Sequence, residues 1–298
     1  MTDAGRPVRI DDCSLWVVER GPMDGFPLMV IHGGPGLDHH EFGDYLDPLA
    51  QDGIRLLLTD LRANGRSDHT PPETWTLERM AQDVIMLALA LKLERYAVLG
   101  HSYGAFVALQ NAVDYPGQAA ATIVSGGIAS SRFLDGVGAA LESFEPADLR
   151  AQVLASWDRE ASAMTQEDVA SLMHDQWPFH FKDPRDPRIA EYERRTEGWV
   201  FAPDVLRHMA TASYGGIEVE DRLKDVPQPV LVLAGRHDRV CTVEASERMA
   251  HLLPNAELHV FEDSAHMMFV EQPDEYLDVV RVFLSRLTKR KPSAPASP

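Results

Sequence analysis

The fold of this 298-residue chain is decided by the stretch Ala97-Val98-Leu99-Gly100-His101-Ser102-Tyr103-Gly104-Ala105-Phe106. An apolar run ends at Gly100, and apolar residues at helical spacing begin just after Gly104. This pattern predicts a strand, a sharp turn and a helix, with Ser102 at the apex. The two glycines allow strained backbone angles in the turn and close packing of the helix on the strand. We therefore expect Ser102 to stand exposed at the carboxyl end of a central strand.

Strands and helices alternate on both sides of this turn. Apolar runs predict further strands at 28–31, 54–59, 121–125, 229–234 and 257–261, and residues 8–20 predict two short strands or a hairpin. Amphipathic spacing predicts helices at 76–92, 243–253 and 274–287. The fold class is therefore α/β, with a doubly wound and mostly parallel sheet.

The strand pattern is interrupted between residues 131 and 225, where only helix-like pieces broken by prolines occur. We interpret 131–225 as a helical cap inserted into a core formed by 1–130 and 226–288. Residues 289–298, rich in Pro, Ser and Ala, are predicted to be a disordered tail.

Composition excludes several classes of function. A net charge of −18 argues against binding to nucleic acid or to anionic membrane surfaces. The first ten residues lack the apolar segment of a signal peptide, and no apolar run is long enough to span a membrane, so we expect a cytoplasmic protein. Cys13 and Cys241 are far apart and are predicted to be free thiols. No metal-ligand spacing is present, and neither a metal nor a cofactor is expected.

A serine hydroxyl needs a general base, and the base needs an acid that fixes its tautomer. Asp238 follows the strand predicted at 229–234, and His266 follows the strand predicted at 257–261. The order Ser102, Asp238, His266, each in a loop after a strand, is the order that hydrolases of this architecture use. Two competing residues rank lower. Asp263 is close to His266 but lies in the same loop, and His237 directly precedes the acid Asp238.

A glycine-rich loop, His32-Gly33-Gly34-Pro35-Gly36, follows the strand at 28–31. A loop with so few side chains can turn its N–H groups toward a cavity, and we predict that the N–H groups of Gly34 and Tyr103 form an oxyanion hole. Asp60 also follows a strand. Because two arginines follow it in a tight loop, we interpret Asp60 as part of a structural ion-pair network rather than as a catalytic acid.

Together with Gly100-His101-Ser102-Tyr103-Gly104, this loop resembles the proline iminopeptidase branch of the α/β-hydrolase fold family. The resemblance extends over residues 8–287 and implies hydrolysis of an amide or ester whose acyl part lies under the cap. The chain departs from that branch at three points. It has Tyr103 where iminopeptidases usually have Trp, 60–63 reads Asp-Leu-Arg-Ala rather than Asp-Gln-Arg-Gly, and Arg239 follows the acid where some members have a second acid that helps to hold the substrate's amino group.

The predicted cap contains both acidic and aromatic candidates for the substrate pocket. The acidic candidates for binding a cationic amino group are Glu142, Glu145, Glu191, Glu193 and Glu197, and most of these are expected on solvated faces. The apolar candidates are Trp157, Trp177, Phe179, Phe181, Trp199 and Phe201, with Met267 and Met268 after the base. Each of these could equally pack between cap helices. Arg239 is a candidate contact for an anionic substrate.

The sequence therefore predicts a serine hydrolase that cleaves small acyl esters or amides through an acyl-enzyme, with prolyl aminopeptidase-type cleavage as its most specific version. A small molecule or short peptide is the expected partner, and the oligomeric state stays open. Two alternatives keep the same fold: an acyl transferase, perhydrolase or lyase that uses the same triad, and a non-catalytic ligand-binding protein. Epoxide hydrolase and dehalogenase chemistry is disfavoured because it needs a carboxylate in place of Ser102.

Overall fold

The computed structural model describes residues 4–288 and contains one eight-stranded sheet. The strands are Arg6–Arg9 (β1), Ser14–Arg20 (β2), Phe26–Ile31 (β3), Ile54–Thr59 (β4), Ala97–His101 (β5), Ala121–Ser125 (β6), Val230–Gly235 (β7) and Ala256–Phe261 (β8). Their order across the sheet is β1-β2-β4-β3-β5-β6-β7-β8. β1 pairs antiparallel with β2 and β2 with β4, whereas all pairs from β4 to β8 are parallel. The prediction of a mostly parallel α/β sheet is confirmed.

Helices cover both faces of this sheet. They are Asp47–Gln51 (α1), Leu77–Ala90 (α2), Tyr103–Asp114 (α3), Val137–Glu142 (α4), Ala147–Glu160 (α5), Gln166–His180 (α6), Arg188–Arg195 (α7), Pro203–Ala210 (α8), Val243–Leu252 (α9), Met268–Glu271 (α10) and Pro273–Thr288 (α11). Every residue of β4, β5, β6 and β7 is buried. A parallel strand covered on both faces needs apolar side chains on both, and this explains the continuous apolar runs in the sequence.

Two hydrophobic clusters, one on each face of the sheet, form the core. Met29 and Ile31 of β3 belong to one cluster with α2 and α3, while Leu28 and Val30 belong to the other with α11. Successive residues of a strand point to opposite faces, so a single strand contributes to both clusters. The sheet is thereby fixed from both sides, and the loops at its edges are held on a rigid base.

The packing of α3 on β5 depends on Gly100. A Cβ atom added to Gly100 would lie 2.0 Å from the carbonyl oxygen of Gly104, a distance that no side chain tolerates. The strand and the helix that follows it are therefore closer than any other residue would permit. This contact holds the turn between them, residue 102, at the carboxyl edge of the sheet.

Helices α4 to α8 lie between β6 and β7, as the proline-broken pattern predicts. Within 126–229 the described chain has no strand of the sheet, only an isolated bridge between Ser130 and Glu218. The division into core and cap at residues 131 and 225 stays a prediction. The tail at 289–298 lies outside the described residues. None of the helices in the part of the chain described here has the length and apolarity needed to cross a bilayer. Cys13 and Cys241 are both buried free cysteines.

Candidate active site

Ser102 occupies the turn between β5 and α3 with φ 54° and ψ −121°. A positive φ is uncommon for a residue with a side chain and requires support from its surroundings. Here the Ser102 N–H donates to the carbonyl of Ser125 on the neighbouring strand (2.9 Å), and its carbonyl accepts from the Ala105 N–H in α3 (2.9 Å). The sheet and the helix thus hold the serine in this strained conformation, with its side chain at the wall of a cavity.

Asp238 and His266 form a buried pair at the same edge of the sheet. The His266 Nδ1–H donates to Asp238 Oδ2 (2.7 Å), since a carboxylate can only accept. Asp238 Oδ1 accepts the backbone N–H groups of Val240 (2.8 Å) and Cys241 (3.0 Å). With its proton on Nδ1, His266 keeps Nε2 as a free lone pair. Burial by itself would lower the pKa of His266, but the negative charge and hydrogen bond of Asp238 raise that pKa above its ordinary value.

Four parallel strands bring these residues together. The loops after β3, β5, β7 and β8 carry Gly34, Ser102, Asp238 and His266 respectively. In a parallel sheet all the carboxyl ends lie at one edge, so residues far apart in sequence meet there. Gly34, Ser102, Tyr103 and His266 all line one cavity of about 180 Å³, between this edge and helices α5, α6 and α8.

Part of the predicted pocket lining is found in this cavity. Trp157, Trp177 and Met267 line it. Phe179 and Phe181 are fully buried among other side chains, Met268 belongs to the core, and Trp199 stacks on Phe201 (ring centroids 5.6 Å apart). Among the described residues, these last five contribute nothing to the cavity wall.

None of the five predicted cap acids lines the cavity in the part of the chain that the structure describes. Glu145 pairs with Arg150, Glu193 with His174 and Glu191 with Arg195, and none of these six side chains contributes to the cavity wall. The polar residues of the wall include two acids that sequence reasoning missed, Glu41 and Glu160.

Glu160 is buried at the end of α5. Its Oε1 accepts from the Gln176 amide (2.7 Å) and its Oε2 from the Tyr214 hydroxyl (2.5 Å). Burial raises the pKa of Glu160 despite these two donors. Glu160 follows Trp157 by three residues and so lies on the same face of the helix. Since Trp157 was a candidate for the pocket, this spacing could have indicated Glu160 in the sequence.

Glu41 is buried beside Ser102. Its Oε2 accepts the Gly33 N–H (2.6 Å). A Cβ atom added to Gly33 would lie 2.6 Å from Glu41 Oε1 and 2.9 Å from the Cβ of Ser102, so those two atoms are at most 5.5 Å apart, the sum of the two distances. Burial raises the pKa of Glu41 to about 8. No local sequence pattern marks this residue.

The candidate acids outside the pair have other partners. Asp263 is exposed and bonds Lys182 Nζ (2.7 Å), and the His237 side chain is exposed as well. Asp60 is structural, but the predicted arginine pairing is wrong. Its carboxylate accepts from the His39 ring (2.6 Å) and from the Arg66 backbone N–H (2.9 Å), whereas the Arg62 side chain pairs with Asp83. The loop therefore holds Asp60 mainly by a histidine and by backbone donors.

Within residues 4–288, two groups of side chains have enough close donor atoms to hold a metal ion, Asp38-His39-His40 and Asp11-Asp12-Asp83. In the first group the ring of His40 bonds Asp38 (2.9 Å) and that of His39 bonds Asp60. The acids of the second group pair with Arg62 and Arg79. These donor atoms thus serve internal hydrogen bonds and ion pairs of the fold.

Comparison with known proteins agrees with this geometry. A family model described as the alpha/beta hydrolase fold matches residues 27–273, so the chain belongs to that family. A proline iminopeptidase of Heyndrickxia coagulans is 27% identical over 271 residues, which are 88% of this chain and 92% of the relative. The crystal structure of a proline iminopeptidase of Mycobacterium smegmatis is 26% identical, with a TM-score of 0.73 over 95% of this chain and 98% of the other.

A third match, to an alpha/beta fold family hydrolase of Bacillus anthracis, has a TM-score of 0.78 at 21% identity and covers 94% of this chain and 98% of the other. At this identity the likeness concerns the fold alone. The predicted family, the similarity to proline iminopeptidases and the assignment as a hydrolase are thereby confirmed.

Proposed function

We propose that the protein is a serine hydrolase in which Ser102 is the nucleophile, His266 the general base and Asp238 the acid that orients it. One observation carries the proposal. His266 Nδ1 and Asp238 Oδ2 are joined by a hydrogen bond of 2.7 Å. His266 lines the same cavity as Ser102, which the fold holds at a positive φ. A nucleophile, an oriented base and a cavity for the acyl group are the components that acyl transfer requires.

The proposed reaction has two half-reactions. His266 Nε2 takes the proton of Ser102 Oγ as the oxygen attacks the substrate's acyl carbon, and the N–H groups of Gly34 and Tyr103 hold the oxyanion that forms. His266 then gives that proton to the leaving alcohol or amine. In the second half-reaction water loses a proton to His266 and attacks the acyl-enzyme, which returns Ser102 and releases the acid. No cofactor takes part in this scheme.

A fluorophosphonate probe tests the assignment of the nucleophile. We expect one covalent adduct, located on Ser102 by peptide mass spectrometry, and none in Ser102→Ala. Labelling at another residue, or hydrolysis of an aryl ester by Ser102→Ala at the wild-type rate, would contradict the proposal. The thermal midpoint of the variant, unchanged within a few degrees, shows that its fold is intact.

Cleavage of an amino-terminal residue, as in proline iminopeptidases, is the more specific version of this function. The relatives that carry that name support it, and so does the absence of basic side chains from the described part of the cavity wall. Among the described residues the wall has the carboxyl groups of Glu41 and Glu160 and no lysine or arginine. A substrate ammonium group would be matched by such a wall, whereas an anionic substrate would not. We assign Glu160 as the residue that binds it.

A substrate panel separates a peptidase from an esterase. Aminoacyl arylamides, their N-blocked equivalents and short acyl esters are assayed side by side with the wild type, Glu160→Gln and the control Glu193→Gln from the outer face of the cap. We expect a preference for unblocked proline amides. Loss of the carboxylate charge in Glu160→Gln should lower kcat/KM for them about 10-fold or more, with ester hydrolysis changed less than about 3-fold. Equal rates on blocked and unblocked amides would exclude an aminopeptidase and indicate an esterase or amidase.

Acyl transfer to an alcohol, perhydrolysis and lyase chemistry keep the same triad and stay as alternatives. Product analysis with and without an alcohol or peroxide acceptor distinguishes them from hydrolysis. A small-molecule or short peptide substrate is part of this proposal, and the cytoplasmic location stays a prediction.

A further inference from the structure

Residues 179–182, where α6 ends and the chain leaves it, form a segment that we call the strap. The strap contacts both loops that carry the acid and the base. On its cavity side it presents His180, whose ring centroid lies 5.3 Å from that of His266. Its backbone groups bond Arg239, His266 and Glu271. The strap thus lies beside the proposed catalytic pair.

Arg239, the residue after Asp238, makes the contact with the acid loop. Its Nη1 donates to the carbonyls of Phe179 (3.0 Å) and Phe181 (2.7 Å), and its Nη2 donates to the carbonyl of Lys182 (3.2 Å). The guanidinium also lies 5.3 Å from the ring centre of Phe144. Among residues 4–288 its hydrogen-bond partners are these carbonyl oxygens and no carboxylate, and Arg239 does not line the cavity. The sequence interpretation of Arg239 as a contact for an anionic substrate is therefore replaced.

The chemistry of arginine suits this position. The last carbonyls of a helix have no partner within the helix and carry partial negative charge, so a cation at this end is stabilising. A planar group with several donors can bond three carbonyls at once, which a lysine ammonium reaches less well. Burial lowers the pKa of Arg239, and the nearby charges of Glu271 and Asp238 oppose that effect. Arg239 is thus held in a defined position by its hydrogen bonds and is not a solvated surface side chain.

The base loop is bound to the same strap by separate hydrogen bonds. The His266 N–H donates to the His180 carbonyl (2.9 Å). Glu271 bridges the two segments, because its Oε1 accepts the Lys182 N–H (2.7 Å) and its Oε2 the Ala265 N–H (2.8 Å). The strap therefore holds the acid loop through Arg239 and the base loop through His266 and Glu271.

We propose that Arg239 is a positioning residue that ties the turn carrying Asp238 to the strap, so that the acid, the base and the substrate-facing end of α6 move as one unit. The inference rests on the proposed function only in taking Asp238 and His266 as the catalytic pair. It assigns a role to Arg239, one of the three points at which this chain departs from the iminopeptidase pattern. Without Arg239 the Asp238 turn loses three hydrogen bonds on one side, and the 2.7 Å contact with His266 is no longer enforced.

The experiment compares the wild type with Arg239→Ala, Arg239→Lys and the control Arg236→Ala. Arg236 lies in the same loop, but it is exposed and pairs with Glu262 instead of the strap carbonyls. With whichever aryl ester the wild type hydrolyses, we expect kcat to fall about 10- to 100-fold in Arg239→Ala, the size that a small misplacement of catalytic groups produces. Arg239→Lys should recover part of the loss, and Arg236→Ala should match the wild type.

The pH profile separates positioning from general stability. The negative charge and the hydrogen bond of Asp238 favour the protonated form of His266. Loosening the Asp238 contact should therefore move the acid limb of the kcat/KM profile to lower pH in Arg239→Ala. Hydrogen exchange should become faster at the amides of Lys182 and His266. A variant with lower thermal stability but an unchanged acid limb and kcat would overturn the inference.

Failure of this inference and failure of the proposed function give different results. If Ser102→Ala is inactive while Arg239→Ala retains the wild-type kcat and acid limb, the positioning role is wrong and the serine hydrolase stands. If Ser102→Ala keeps the wild-type rate, the proposed function itself is wrong. If Arg239→Ala does not fold, Arg239→Lys tests the inference in its place. A lysine variant with the wild-type kcat and an unshifted acid limb would refute the need for the contact with three carbonyls.

Discussion

Asp238→Asn is the substitution whose effect follows most directly from the geometry of the site. The Val240 and Cys241 N–H groups both donate to Oδ1, so an amide placed here must put its oxygen at that position. Its NH₂ group then faces His266 Nδ1, where Oδ2 now accepts at 2.7 Å. Two donors cannot face each other, so His266 loses the proton on Nδ1 and carries it on Nε2 instead.

A histidine protonated on Nε2 cannot accept the proton of Ser102. In serine protease triads, loss of the correct histidine tautomer lowers kcat by about 10⁴-fold. We expect about 10³- to 10⁴-fold here, equivalent to roughly 4–5.5 kcal/mol of transition-state stabilisation.

The assay is the steady-state hydrolysis of an aryl ester together with the rate of fluorophosphonate labelling, and both should fall together. Asp263→Asn is the matched control, since Asp263 lies in the loop of His266 but its carboxylate bonds Lys182 at the surface. It should retain the wild-type kcat. If Asp238→Asn kept activity within about 10-fold of the wild type, or if Asp263→Asn were the damaging change, the assignment of the acid would be refuted.

Three further outcomes follow from the buried groups and the packing. Because the pKa of His266 is raised above 6.5, kcat/KM should fall as pH drops through a midpoint above that value, and a profile with a lower midpoint would contradict the pairing with Asp238. Glu41 has its pKa raised from 4.5 to about 8, so its contribution to stability is full below pH 4.5 and is lost as pH rises toward 8. Between pH 5 and pH 9 the free energy of unfolding in urea should fall by about 3–5 kcal/mol more in the wild type than in Glu41→Gln. An equal fall in both proteins would argue against a buried acid. Gly100→Ala should destabilise by at least about 2 kcal/mol because its Cβ meets a carbonyl oxygen at 2.0 Å, whereas Gly138→Ala, in α4 with nothing within 4 Å, should be neutral or stabilising by up to about 1 kcal/mol.

The positions of the strands and of the proposed catalytic residues could be predicted because they are local properties. The apolar runs match β3 to β7 closely, and the strand at 257–261 begins one residue earlier in the structure, at Ala256. Once the sheet is taken as parallel, the carboxyl ends of its strands share one edge, so Ser102, Asp238 and His266 converge without knowledge of any contact. The sharp turn at Ser102 could likewise be predicted, because Gly100 and Gly104 permit it.

The contents of the cavity could not be predicted in the same way. Each helix of the insertion has several faces, and the face that meets the core depends on contacts with residues far away in sequence. The five cap acids named from the sequence lie elsewhere, while Glu160 and Glu41 reach the cavity wall. A charge count has no information about which carboxyl group is turned inward.

By itself the sequence determined the order of elements, the strained serine turn and the set of residues at the carboxyl edge, since these depend on neighbours a few positions apart and on the rule of parallel strands. Only the tertiary structure decided that Asp238 rather than Asp263 bonds His266, that Glu41 lies beside Ser102, and that Arg239 bonds the strap. Those contacts join segments that lie far apart along the chain, such as Arg239 and Phe179 at a separation of 60 residues, and are selected by the packing of whole helices rather than by any local preference of the chain.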